Sequence, residues 1–283
     1  MKLSCLPVSF FPDIIAGRMS LASWAAMGAR LGLDAVDLSI LFLPDRSPAA
    51  VAATRRAIES QGMRVAMVTS YPDWTHPDPA QRERELAMEE QVVAVAAGLG
   101  AALVRVTTGQ AHPDTPRDEG LTWAIDGLCR LADATRHLGV TLVYENHSKP
   151  SAWTYTDFAE QPDVFLTVAR GIAKAGIGIN FDAGNAATFA DDAVALLDEV
   201  LALCAGGRTL SVHASDSATR GRLQHVLVGT GITPYPALCQ RLVRAGWDGW
   251  ICIEEGSTQG EAGVAVAVRF IRETWHAAQA PAR

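Results

Sequence analysis

Seven glycines punctuate the chain at near-regular spacing. Gly32, Gly62, Gly100, Gly139, Gly176, Gly207 and Gly246 are separated by 30, 38, 39, 37, 31 and 39 residues. Each follows a helix-like segment and precedes a short apolar, β-favouring run. Glycine just past a helix end accepts the left-handed conformation that turns the chain back. The spacing therefore reads as a repeated helix–turn–strand unit. The runs are Ala35–Ile40, Arg64–Thr69, Leu103–Thr107, Val140–Glu145, Ile177–Asp182, Thr209–His213 and Trp250–Glu254, with Leu3–Val8 as an eighth ahead of the first repeat.

The runs are apolar throughout, as in strands of a parallel sheet covered by helices. Eight strands alternating with eight helices, at roughly 35 residues per unit, predict a (β/α)8 TIM barrel. The reading takes residues 1–283 as one domain, and a composition that is 49% hydrophobic suffices for one large core. An open doubly wound sheet is the alternative, but the first strand-to-helix turn, Val8-Ser-Phe-Phe-Pro-Asp-Ile14, lacks GxGxxG, and no Walker motif is present. Helix starts are expected at Ser47-Pro48, Asp78-Pro79 and Thr233-Pro234, where a capping side chain precedes proline. Asp157 and Glu160 have the spacing of a further cap, and Glu83–Leu99 and Leu121–Leu138 show helical periodicity.

A net charge of −7 argues against nucleic-acid and anionic-membrane partners. Five widely spaced cysteines without a CxxC read as reduced thiols. The N-terminus faintly resembles a signal peptide, but Pro7, Pro12 and Asp13 interrupt it, and no stretch is long enough to span a bilayer. A cytoplasmic protein is the expectation.

Four runs end in a residue able to bind a metal: Glu145, Asp182, His213 and Glu254. A buried carboxylate without a partner is costly, so four such endings imply convergence on a cation. Each has a bland alternative: an ion-paired rim carboxylate for Glu145, a helix cap for Asp182, a packed core histidine for His213. Glu254 is chosen over Glu255 because it directly ends Ile251-Cys-Ile253. Oxygen-rich ligation with one nitrogen suits one divalent ion, Mn²⁺ ahead of Mg²⁺, Co²⁺ or Zn²⁺.

This set resembles the xylose-isomerase-like barrel superfamily, which includes sugar isomerases, epimerases and dehydratases. The resemblance is carried by Tyr144-Glu-Asn-His147, Asp182-Ala-Gly-Asn185, the pair His213/Asp216, His225-Val-Leu-Val-Gly-Thr-Gly231 and Gly249-Trp-Ile-Cys-Ile-Glu254. It implies that Glu145, Asp182, His213 and Glu254 ligate one ion that chelates a substrate carbonyl and a neighbouring hydroxyl. It also implies that Glu145 and Glu254 exchange a proton through an enediolate. Substrate contacts follow at Asn185 and in the loop after strand seven, at Arg222 and His225, with Asp216 orienting His213 or a sugar hydroxyl. A small carbohydrate substrate is expected, and homo-oligomerisation is open.

His147, two residues past Glu145, returns to the same strand face. It is either a bystander or an extra base, and as a base it opens a lyase reading, a sugar dehydration or a carbon–glycoside cleavage. Lys149 follows in the same loop and is either solvated or a holder of an anionic group. Arg105, charged within an apolar strand, needs an ion-pair partner or a substrate contact. Trp74, His76, His112, Trp153 and Tyr155 fall in strand-end loops, where they stack on a sugar or pack. An abasic-site endonuclease is disfavoured because strands three and four end in Thr69-Ser70 and Thr107-Thr108 rather than histidines, and Asn185 and Leu223 stand where that chemistry needs histidine and aspartate. A non-catalytic carbohydrate-binding subunit is the remaining alternative.

Overall fold

The computed structural model describes residues 1–150 and 152–280. Its eight strands are β1 (Lys2–Leu6), β2 (Val36–Ser39), β3 (Val65–Thr69), β4 (Leu103–Val106), β5 (Thr141–Glu145), β6 (Gly178–Asp182), β7 (Leu210–Ala214) and β8 (Trp250–Glu254). They pair in parallel in the order β1-β8-β7-β6-β5-β4-β3-β2, a nearly closed barrel. All seven punctuating glycines adopt positive φ, between 66° and 98°. The turn they make is the one an L side chain disfavours.

The seam between β1 and β2 is closed by aspartates rather than by a strand ladder. Leu3 donates its N–H to Asp34 Oδ2 at 2.7 Å, and Ser4 donates its hydroxyl to Asp37 Oδ2 at 2.6 Å. Burial pushes the Asp37 carboxyl up to about 6, and the Ser4 hydrogen bond and the nearby His213 charge offset part of that rise. β1 ends at Leu6, earlier than the Leu3–Val8 expected, because Pro7 has no N–H and Val8–Phe10 tightens into a 3-10 turn.

Ten α-helices lie among the described residues, two more than the eight-unit repeat requires. The long ones cover the barrel: α2 (Leu21–Arg30), α3 (Pro48–Glu59), α4 (Pro79–Leu99), α5 (Arg117–Thr135), α6 (Pro162–Gly171), α8 (Ala193–Cys204), α9 (Tyr235–Arg244) and α10 (Gly260–Gln279). The extra ones, α1 (Phe11–Ile15) and α7 (Ala183–Phe189), sit just past the carboxyl ends of β1 and β6. Ser47 and Asp78 cap α3 and α4 as expected. Thr233 does not cap α9: its N–H is spent on Asp216, and the helix begins past Pro234 without a side-chain cap. Asp157 and Glu160 do not cap α6 either; Asp157 is drawn inward by His147 and Thr108. All five cysteines are free thiols. No described helix is long and apolar enough to cross a membrane.

Candidate active site

The barrel brings the carboxyl ends of β5 to β8 together. Glu145, His213 and Glu254 each offer a ligand atom, and these atoms lie within 4.8 Å of one another. His213 Nδ1 stands 2.6 Å from Glu145 Oε1 and 3.0 Å from Glu254 Oε1. The ring is fully buried, yet this nitrogen makes no aligned hydrogen bond. A buried imidazole nitrogen set between two carboxylates is a donor set suited to a divalent cation. The other ring nitrogen rests 3.3 Å from the Met67 sulfur, above a small apolar cluster of Met67, Leu103, Val143 and Cys252.

The electrostatics of the protein alone describe the charge such a cation would replace. Burial alone would lower the basicity of His213, but Glu145 and Glu254 hold its pKa well above the usual imidazole range. Burial would raise both glutamates; Arg105 and His213 hold Glu145 below its ordinary value, and His213 does the same for Glu254.

Besides His213, two groups hold Glu145. Arg105 Nε lies 3.1 Å from Oε2, and Asn180 Nδ2 donates to Oε1 at 2.6 Å. Ser211 in turn donates to Asn180 Oδ1 at 2.7 Å, which fixes the amide's orientation. The Arg105 guanidinium is spent locally: Nη1 donates to the Ser70 carbonyl at 2.7 Å, and the group packs 4.7 Å over the Tyr71 ring. Asn180, which holds Glu145 in the candidate site, is a residue that the sequence reading missed. Its signal was an amide within the apolar run Ile177–Asp182.

Asp182 lines the same cavity, but lies outside the three-residue group. Its Oδ1 accepts the Asn185 N–H at 2.6 Å and the Ser215 hydroxyl at 2.9 Å. Asn146 pins the Asp182 backbone through both its carbonyl and its amide. Burial, with the charges of Glu254 and Glu145, pushes the Asp182 carboxyl well up. Glu254 and Glu255 point to opposite sides of the strand. Glu254 faces His213, whereas Glu255 is fully buried, accepting the Ser9 hydroxyl and the Ser257 N–H.

Above the group opens a cavity of about 430 Å³. Arg105, His147, Lys149, Asp182, Asn185, His225 and Glu254 reach it. Glu145 does not; it lies beneath the floor. His147 Nδ1 sits 3.2 Å from Asp157 Oδ2, and Asp157 is itself held by the Thr108 hydroxyl and the Ala159 N–H. This leaves Nε2 without a partner among the described residues. His225 Nδ1 is buried and unpartnered. Lys149 Nζ donates to the Thr154 carbonyl at 2.8 Å.

Two expected substrate residues lie elsewhere. Asp216 does not orient His213: its carboxylate accepts the N–H groups of Gly229, Gly231 and Thr233 and organises the loop after β7. Arg222 is exposed, and Leu223 faces the cavity in its place. None of Trp74, His76, His112, Trp153 and Tyr155 lines the cavity. Trp74 is core, His112 binds Asp73 at 2.8 Å, and Trp153 packs edge-on against His147. Tyr71, which the sequence did not single out, does line it.

The chain matches the family model described as xylose isomerase-like TIM barrel over residues 25–274. It is 24% identical over 255 residues to a Streptomyces coelicolor protein whose given name proposes hydroxypyruvate isomerase activity, covering 86% of this chain and 88% of that one. Among solved structures it is similar to a D-tagatose 3-epimerase-like protein, with a TM-score of 0.79, 18% identity and coverage of 99% and 100% of the two chains. It is also similar to the IOLI protein with a bound zinc atom, with a TM-score of 0.77, 14% identity and the same coverage. With a matching model across most of its length and a barrel of eight parallel strands, the chain belongs to the xylose isomerase-like TIM barrel family.

Proposed function

We propose that this protein is a divalent-metal-dependent sugar isomerase or epimerase. One observation carries the reading: Glu145, His213 and Glu254 bring two carboxylates and an imidazole within 4.8 Å of one another, with Glu254 on the floor of a cavity and Glu145 just beneath it. The printed names of the relatives, an isomerase and an epimerase-like protein, support the sugar-transforming class.

The ion would be held by Glu145, His213 and Glu254, with Asp182, which lines the same cavity, as the fourth ligand. Mn²⁺ is favoured by the oxygen-rich set, and the zinc-bound neighbour keeps Zn²⁺ in the test. When bound, such an ion supplies Lewis-acid polarisation of a carbonyl and an adjacent hydroxyl, which acidifies the carbon between them. Glu254, the carboxylate open to the cavity, takes the proton from that carbon. Glu145, fixed by Arg105 and Asn180, is the less mobile partner. Return of the proton to the opposite face gives epimerisation, and return to the neighbouring carbon gives aldose–ketose interconversion. Asn185 and His225 hold substrate hydroxyls.

A second reading, elimination, is favoured by the His147–Asp157 pair. A histidine whose Nδ1 is anchored on a buried carboxylate has the orientation of a general base, and its free Nε2 could take a proton ahead of loss of a β-substituent. The net negative charge and free thiols support a small carbohydrate substrate in a reducing compartment over a nucleic-acid or membrane partner.

The test is a metal analysis after reconstitution, followed by NMR in D₂O over a panel of ketoses and sugar phosphates. One equivalent of metal, and metal-dependent deuterium uptake next to a carbonyl, are expected. Uptake with loss of a hydroxyl or glycosidic group would select the second reading. Less than stoichiometric metal, or no uptake across the panel, would overturn the assignment.

A further inference from the structure

The cavity above the metal ligands has two unlike halves. Its floor is polar, built of Glu254, Asp182, Asn185 and Ser215. Its outer wall is apolar, built of Val8, Phe11, Pro12, Leu41, Tyr71 and Leu223 from the loops after β1, β2, β3 and β7. Leu41 is 41% exposed, one of few large hydrophobics left in water among the described residues. Phe11 is not loose: its ring packs edge-on to Phe42 at 4.6 Å, which fixes the wall's shape. Resting on the proposed enzyme reading, we infer that the substrate is an uncharged keto-sugar carrying an apolar, aryl-sized substituent, with the sugar on the floor and the substituent against this wall.

Three observations favour that occupant over a phosphate. The cavity's arginine and lysine are engaged: Arg105 with Glu145 and the Ser70 carbonyl, and Lys149 with the Thr154 carbonyl. The helix that begins at the floor, α7, is only seven residues long, and its N-terminal turn already carries the Asp182 carboxylate. A phosphate at the wall would instead lose hydration against leucine, valine and phenylalanine side chains. The wall and the floor also belong to one continuous cavity of about 430 Å³, within the usual range for small-molecule sites. An exposed apolar face continuous with a reaction site is where a substrate's own apolar part is removed from water.

The experiment is calorimetric titration of the Mn²⁺-loaded protein with three probes: a 3-keto-glucose, its phenyl glycoside and its 6-phosphate. Deuterium uptake is followed on the same samples. The phenyl glycoside is expected to bind at least about tenfold more tightly than the parent sugar, and the phosphate no more tightly than the parent. In Leu41→Asp and in Phe11→Ala the phenyl advantage falls to about threefold or less. Met88→Asp, at an exposed apolar residue of α4, keeps it whole. A tighter phosphate, no phenyl advantage, or an advantage that survives both wall substitutions would overturn the inference. So would a change of oligomeric state in Leu41→Asp with the ligand ratio intact, because the wall would then be covered by a second copy. Loss of uptake with the ratio intact sinks only the reaction, and loss of the ratio with uptake intact sinks only the substituent.

Discussion

Replacing Arg105 with methionine separates the structural from the catalytic work of the site. Arg105 and Glu145 are both nearly inaccessible, with side chains 2% and 1% exposed, and they approach to 3.1 Å. Methionine keeps most of the side-chain volume, removes the charge, and leaves the Ser70 carbonyl without its 2.7 Å donor. Breaking a buried ion pair by deleting one partner costs about 3–5 kcal/mol, because the other charge stays buried and uncompensated. Unfolding entropy of about 2.1 cal/mol/K per residue gives roughly 0.6 kcal/mol per degree for a chain of 283 residues. The metal-free variant should therefore melt about 5–8 °C below the wild type. Saturating Mn²⁺ should recover part of that loss, because a cation at Glu145 replaces the missing positive charge, so its melting shift should be larger in the variant than in the wild type. Differential scanning calorimetry with and without metal reads both numbers. A metal-free variant within about 2 °C of wild type, or equal metal shifts in the two proteins, would refute the electrostatic account of the floor.

Three further outcomes follow from other parts of the molecule. Asp157→Asn should lower kcat by about 10–100-fold with KM little changed if His147 moves a proton, and ¹⁵N NMR of the His147 ring should report a changed tautomer; an unchanged kcat would make the pair structural. Glu89, buried on α4, has its carboxyl pushed up from 4.5 to about 7 by burial. Between those values the folded chain keeps a proton that the unfolded chain has released, so the contribution of Glu89 to stability is greatest below about pH 4.5 and falls by about 3 kcal/mol as pH rises to about 7. Glu89→Gln should lose that dependence, and a melting-temperature gap between the two proteins that does not change with pH would contradict it. Gly184→Ala, at the start of α7, would press a methyl against Ser215, whose carbonyl lies 2.7 Å from the added carbon, and should cost about 1–3 kcal/mol together with metal affinity; wild-type melting and metal binding would show that the loop yields freely.

The repeat of glycines and apolar runs was enough to specify the barrel, because the left-handed turn and the parallel strand are both local demands, readable within a few residues. The strand-end positions of Glu145, His213 and Glu254 followed from the same logic, since each terminates its own run. The partners of those residues were not legible. Arg105 and Glu145 are 40 positions apart, and only β4–β5 pairing sets them side by side. Asp157 looked like a helix cap because its local sequence permits one; the barrel instead sets its buried carboxylate against the His147 ring and the Thr108 hydroxyl, which give it hydrogen-bond partners that water would otherwise supply. Asp216 likewise suited a catalytic assistant by spacing alone, until loop closure after β7 presented it with backbone amides. The sequence by itself determined the architecture and which side-chain types stand at the strand ends of the barrel mouth. Only the tertiary structure decided which carboxylate opens to the cavity, which is locked beneath it, and that the cavity's outer wall is apolar, because those properties belong to distances between strands rather than to spacing along one.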